Sequence, residues 1–293
     1  MKELVIISGK GGTGKTSIAA SFACLAGDEV VVADCDVDAA DMFLLLQADF
    51  AKSQDFFSGL IASIDQEKCS QCGICAEVCR FNAIQVINNN FYVDSFNCEG
   101  CSYCTRVCND EAINMNKQNV GEWYISKIKT GSFMVHAKLG IGEESSGKLV
   151  AKVKHEAKHL ADEINKEMII VDGSPGIGCP VISSLSGADF VLLVTEPTIS
   201  GLHDLKRVYK LVEKFKIKTG CLINKSDLNS YVRNEIIEFL EKEDIIHIAS
   251  IPYNEKFTEA LSSGKTIVEY ENGDIGSIVT ESWNKIKMIL TNK

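Results

Sequence analysis

Eight of the twelve cysteines repeat one spacing: Cys69-x2-Cys72-x2-Cys75-x3-Cys79 and, about 29 residues later, Cys98-x2-Cys101-x2-Cys104-x3-Cys108. Thiols three residues apart offer several soft ligands from one short loop. In a chain that opens on an apolar strand at Met1 rather than on a signal peptide, they read as metal ligands, not disulfides. Zinc sites use separated pairs of ligands, so iron–sulfur chemistry is preferred and zinc is the alternative. A second constellation precedes the octet. Gly9-Lys10-Gly11-Gly12-Thr13-Gly14-Lys15-Thr16-Ser17 satisfies the G-x4-G-K-[ST] pattern. Its glycines let successive backbone N–H groups turn toward phosphate, and a following helix adds its positive end. Lys15 is expected to reach the β- and γ-phosphates and Thr16 to ligate Mg²⁺.

These residues need a frame. Residues 3–8 form a short apolar run before the loop, and a helix is expected from Lys15 to about Ala26. Val30–Asp34 reads as a buried strand that ends in the acidic run Asp34-Cys35-Asp36-Val37-Asp38, and Asp41–Gln47 as helix or turn. Further strands are expected at Met168–Asp172, Phe190–Thr195, Thr219–Ile223 and Ile246–Ile251, with helices at Val150–Lys166, Ser200–Phe215 and Ile275–Leu290. This alternation predicts an α/β fold: a mostly parallel sheet with helices on both faces. The octet interrupts it. Each cysteine run is preceded by an aspartate (Asp65, Asp94) and followed by Ala-Ile (Ala83-Ile84, Ala112-Ile113), so residues 62–116 form a duplicated insert. The expected organisation is 1–61 and 117–293 for the α/β domain and 62–116 for a small α+β insert. Residues 118–150 are the least informative, reading as two strand-like runs, Trp123–Lys129 and Phe133–Leu139, and a turn at Gly140–Gly147.

The octet resembles the bacterial two-cluster ferredoxins. That resemblance implies a ferredoxin-like domain with two [4Fe-4S] clusters, the fourth ligand of each coming from the other half. Cluster one takes Cys69, Cys72, Cys75 and Cys108, and cluster two takes Cys98, Cys101, Cys104 and Cys79. Ferredoxins commonly carry proline after the fourth cysteine, whereas this chain has Arg80 and Asn109. The phosphate loop, with Lys10 ahead of its glycines, resembles the deviant Walker A sequence of the MinD/ParA/Mrp ATPases, the group that includes the nitrogenase iron protein. In that group two subunits sandwich two nucleotides, which implies a catalytic role for Lys10 on the partner's nucleotide. By the same resemblance Asp36, with Asp38 as a second candidate, orients or activates water, and Asp172 contacts Mg²⁺ through water. The Gly176 amide of Asp172-Gly-Ser-Pro-Gly176 senses the γ-phosphate. Asn224 of Asn224-Lys225-Ser226-Asp227 contacts adenine with help from Pro252 and Asn254. N-K-x-D also reads guanine in GTPases, but the loop favours ATP. Asp34 is expected to be structural. Cys179, seven residues after Asp172, stands at the offset where the iron protein holds a cluster shared between subunits. A packed or merely exposed thiol is the alternative.

Composition narrows the rest. Net charge of −10 argues against a nucleic-acid partner. No uninterrupted apolar run reaches the ~18 residues of a spanning helix, so a membrane role is disfavoured and a reducing cytoplasm is expected. A terminal stripe of Ile275, Ile278, Val279, Trp283, Ile286 and Ile289 reads as a core helix rather than a membrane anchor. Three function classes follow. The first is a dimeric Mg-ATPase, homomeric or paired with a paralogue, that drives electron transfer to a redox partner. The second is an iron–sulfur or metallocofactor assembly carrier. The third is a non-redox positioning ATPase.

Overall fold

A computed structural model describes residues 1–140, 146–271 and 273–291. In chain order the elements are β1 (Lys2–Ile7), α1 (Lys15–Ala26), β2 (Val30–Asp34), α2 (Met42–Leu46), β3 (Lys52–Ile64), α3 (Ile74–Val78), β4 (Ile84–Ile87), β5 (Asn90–Val93), α4 (Tyr103–Val107), β6 (Ile113–Lys127), β7 (Phe133–Leu139), α5 (Ser146–Glu163), β8 (Met168–Asp172), α6 (Cys179–Leu185), β9 (Phe190–Thr195), α7 (Ile199–Lys214), β10 (Lys218–Ile223), α8 (Ser230–Lys242), β11 (Ile246–Ser250), α9 (Lys256–Ser262), α10 (Ile267–Tyr270) and α11 (Asp274–Thr291). Most of the expected turn at Gly140–Gly147 lies outside the described residues.

The chain forms two compact units. The larger comprises Met1–Gln54, Glu122–Leu139 and Ser146–Lys293. Its frame is a sheet of order β11-β10-β9-β1-β8-β2-β7-β6-β3. The ladders from β11 through β7 are parallel. Adjacent strand residues such as Leu4, Val5, Ile6 and Ile7 are all fully buried, so both sheet faces are covered, as a parallel sheet requires. One face packs Ile18, Phe22 and Met42 with Val279, Trp283 and Ile286, the Phe22 and Trp283 rings 5.4 Å apart. The apolar stripe of α11 is thereby spent on the core: Ile275 and Leu290 are buried too, and Ile278 and Ile289 pack against it. Among the described residues no helix is long and apolar enough to cross a membrane.

The smaller unit comprises Asp55–Gly121 with Gly140, whose N–H donates to the Val120 carbonyl at 2.9 Å. It starts and ends further out than the cysteines alone indicate. The reason is β3 and β6: β3 is largely exposed and carries no alternation, and of β6 the sequence reveals only the run from Trp123 onward, not its start at Ile113. Its two halves are built alike and exchange bonds. Asp94 N–H donates to Ala83 O and Asp65 N–H to Ala112 O, each 2.7 Å. The same aspartates accept from Glu67 and Phe96 N–H at 3.0 Å, closing equivalent turns ahead of each cysteine run. The short helices α3 and α4 pack together, and β4 and β5 form an antiparallel hairpin. The buried apolar core is small, with Ala62, Cys75 and Ile113 at its centre.

Candidate functional site

The phosphate loop lies beyond the carboxyl end of β1, a central strand flanked by β8 and β9. Crevices at carboxyl ends of parallel strands are where α/β sheets bind ligands. Gly12 and Gly14 have φ of 79° and 89°, a left-handed backbone that L side chains rarely adopt. A Cβ on Gly14 would also stand 2.4 Å from Asn224 Nδ2. Gly11 and Gly12 face open space. Thr13 is buried, Thr16 is half-buried beside Lys15, and the Ser17 carbonyl accepts from Ser21.

Register decides the electrostatics. β2 and β8 pair so that Asp34 stands directly beside Asp172. Lys15 reaches this pair from the first turn of α1, with Nζ 2.6 Å from Asp172 Oδ1 and 3.6 Å from Asp36 Oδ2. Burial works against the lysine's charge, but Asp172, Asp36 and Asp34 outweigh it and hold Lys15 above the usual lysine range. Three carboxylates share this one cation, and Asp34 bears the consequence. Burial, then the neighbouring Asp172, push its carboxyl up to about 8. Its Oδ1 accepts from Asp36 N–H at 3.1 Å. Burial also raises Asp36, with Lys15 opposing. Asp38 is exposed. The Oδ2 atoms of Asp34 and Asp172 are buried without a hydrogen-bond partner.

Asp34 makes stability depend on pH. Its folded pKa is raised far above the unfolded value near 3.9. The folded protein therefore binds the extra proton between about pH 4 and pH 8, and stability falls as pH rises through that window. Asn mimics the protonated acid. Asp34→Asn is expected to flatten the decline in melting temperature between pH 5 and pH 8.5 in nucleotide-free protein, and to match or exceed wild type at pH 8.5. A parallel decline in both proteins would refute a proton on Asp34.

The other predicted residues occupy more constrained positions than their motifs imply. The Gly176 amide donates to the Ser8 carbonyl at 2.9 Å, tying the loop after β8 to the start of the phosphate loop. Asn224 Nδ2 donates to Thr13 O at 2.8 Å, and its Oδ1 accepts from Lys225 N–H, so the side chain braces the phosphate loop. Asp227 Oδ1 accepts from Tyr253 N–H at 2.6 Å, holding the loop that carries Pro252 and Asn254. Asn254 in turn accepts from Lys256 N–H. Lys10 is folded onto its own chain: Nζ is 2.7 Å from Glu196 Oε1, 3.0 Å from Ser200 Oγ and 3.3 Å from Thr198 Oγ1. Lys225 holds the other oxygen of Glu196 at 2.8 Å and reaches Gly12 O at 3.1 Å. Burial raises the Glu196 carboxyl, but these two lysines outweigh it and hold it below the usual range. The clamp of Glu196 between Lys10 and Lys225 has no motif, since its members are brought together from three strand ends.

None of the twelve cysteines is in a disulfide. In the smaller unit the octet lines two cavities. One, of about 380 Å³, is bordered by Cys79, Cys98, Cys101 and Cys104, and the other, about 20 Å³, by Cys69, Cys72, Cys75 and Cys108. Each ring thus takes three cysteines from one half and the last from the other. Cys79 Sγ accepts from Ala83 N–H at 3.4 Å and Cys108 Sγ from Ala112 N–H at 3.3 Å. Among the described residues no three His, Cys, Asp or Glu side chains gather closely enough to hold a single metal ion. Cys179 is exposed at the first turn of α6, and Cys35 and Cys221 are buried.

A family profile described as the CobQ/CobB/MinD/ParA nucleotide binding domain matches residues 4–267. The chain belongs to this family. Two uncharacterized proteins of Methanocaldococcus jannaschii are similar along nearly their whole length. MJ0578 is 34% identical over 97% of this chain and 96% of its own, and MJ0579 is 28% identical over 98% and 99%. Among solved structures, MinD from Pyrococcus horikoshii, complexed with Mg-ADP, superposes with a TM-score of 0.60 at 17% identity, covering 99% of this chain and 97% of that one. The Pyrococcus furiosus cell division ATPase MinD gives 0.58 at 19%, covering 98% and 99%. At such identities these structures bear on the fold alone. The nucleotide-binding family and the mostly parallel α/β sheet are therefore established.

Proposed function

We propose that this family member is a Mg-ATP-dependent dimeric ATPase whose nucleotide cycle is coupled to electron transfer through two [4Fe-4S] clusters. The observation that carries the redox half is the interleaving of the two cysteine rings. Four thiols around each cavity are the donor set of a cubane, which attaches each thiolate to a different iron and so needs its ligands spread wider than one ion would. The donor chemistry fits both rings. The Cys79 ring has room as it stands, and the tighter Cys108 ring would have to widen to take a cluster. When bound, each cluster supplies a one-electron couple.

For the nucleotide half, the turned amides of residues 11–16 bind phosphate, and Lys15 exchanges Asp172 for the β- and γ-phosphates. The orphaned buried oxygens of Asp172 and Asp34 suit a divalent cation's water shell, with Thr16 as direct ligand. Asp36, half-exposed at the mouth of the site, orients the attacking water, with Asp38 flanking it. Lys10, on leaving Glu196, is the cation that a second subunit would receive. Asp227 is already spent on Tyr253 N–H, which supports ATP over GTP. Release of Gly176 from Ser8 would make its amide available to the γ-phosphate. Asn224, Pro252 and Asn254 border the base side.

Anaerobically purified protein is expected to be brown, to carry about eight irons per chain, and to prefer ATP in competition with GTP. A clear GTP preference would overturn the nucleotide assignment. If ATP changes neither the midpoint potentials nor the accessibility of cluster iron to a chelator, the coupling fails. The exposure of Cys179 favours a carrier as the second reading, in which this thiol helps hold a cluster shared between subunits. Rapid transfer of iron to an apo-acceptor supports that reading, and unchanged iron per dimer in Cys179→Ala removes the shared site.

A further inference from the structure

The two halves of the smaller unit match in geometry but not in charge. After the last cysteine of each half come Arg80-Phe81 and Asn109-Asp110. Because the rings exchange that last cysteine, Arg80 borders the Cys98–Cys104 cavity and Asp110 borders the Cys69–Cys75 cavity. Glu99 also borders the first, so its charged lining sums to neutral, and the second, with Asp110, is left negative. Asp110 is pinned there. Its Oδ2 accepts from Ser70 N–H at 3.3 Å and from the Ser70 hydroxyl. The N–H to sulfur bonds at Cys79 and Cys108 are alike in the two rings, so they do not separate them. Charge does. A group that gains an electron gains negative charge, which Arg80 stabilises and Asp110 opposes.

Resting on the cluster reading, we propose that Arg80 and Asp110 set the order of the two clusters. The Cys79/Cys98/Cys101/Cys104 site has the higher reduction potential, and the Cys69/Cys72/Cys75/Cys108 site the lower. One electron from an external one-electron reductant then settles on the Arg80 side. The transfer inside the unit runs from the Asp110 ring to the Arg80 ring, one ring losing the electron the other gains. Arg80 is exposed, so water screens it and its effect is moderate.

Iron content and visible absorbance are measured first, then dithionite potentiometry followed by EPR on wild type, Arg80→Gln, Arg80→Lys and Asp110→Asn. Two resolved midpoints are expected. Arg80→Gln should lower the upper one by about fivefold in the reduction equilibrium, roughly 40 mV at 59 mV per tenfold, and leave the lower in place. Arg80→Lys should restore the wild-type value, and Asp110→Asn should raise only the lower midpoint. A protein without iron overturns the cluster reading and this order together. A fully loaded protein with one shared midpoint, or with Arg80→Gln moving the lower midpoint or neither, overturns the order alone.

Discussion

Lys15→Gln is expected to cut ATP hydrolysis by at least about a hundredfold to a thousandfold, the loss typical when one preorganised donor to a developing negative charge is removed. Lys15 Nζ lies 2.6 Å from Asp172 and 3.6 Å from Asp36, and Lys15 is the first residue of α1. Glutamine keeps length and a donor but not the charge, and charge is what the transferring phosphoryl group demands. Folding sets a competing concern. Removing one partner of a buried ion pair costs about 3–5 kcal/mol when the other charge is stranded. Burial and the neighbouring Asp172 raise the Asp34 carboxyl, which lessens its demand for the lysine, so the main stranded partner is Asp172, and it can pair with the introduced amide. The variant should remain folded with a lowered melting temperature while turnover collapses. Phosphate release and thermal melts on the same preparation separate the two effects. Turnover within about threefold of wild type would remove Lys15 from the phosphate site.

The second large effect concerns the crossing of the cysteine rings. Cys79→Ala is expected to lower iron from about eight to about four per chain. The informative comparison is a pair of double variants. If Cys79 completes the ring of Cys98, Cys101 and Cys104, then Cys79→Ala/Cys101→Ala strips one cluster only and retains about four irons. By contrast, Cys79→Ala/Cys72→Ala strikes both rings and retains almost none. If each half instead closed on itself, the two outcomes would exchange. The unit's stability should follow its iron. A unit of this size with so few buried apolar side chains needs a staple, and metal binding to such sites is itself folding free energy. Chelation under reducing conditions should therefore lower the resistance of Asp55–Gly121 to proteolysis before that of the larger unit.

The family was legible from contiguous residues. The phosphate loop is nine consecutive positions whose glycines need no distant partner to adopt their turns. The octet is a local spacing, and the apolar runs at Val30–Asp34, Met168–Asp172 and Phe190–Thr195 are buried strands because parallel sheets bury both faces. β3 and the first part of β6 were not legible, since β3 is mostly solvated and without a period, and the strand-like run at Trp123–Lys129 covers only the end of β6. Tertiary structure alone decided the state of the site. Lys15 meets Asp172 across 157 positions of sequence, and Lys10 meets Thr198 across 188. Strand register put Asp34 beside Asp172, which together with burial raises the Asp34 carboxyl. Asn224 and Gly176, each read from a motif as facing nucleotide, also bond the phosphate loop and its preceding residue, contacts no motif could announce. The physical reason is one of range. Backbone conformation and amphipathic pattern are set by neighbours in the chain, whereas charge pairing, desolvation and hydrogen-bond partners depend on which strand ends the fold brings within a few ångströms.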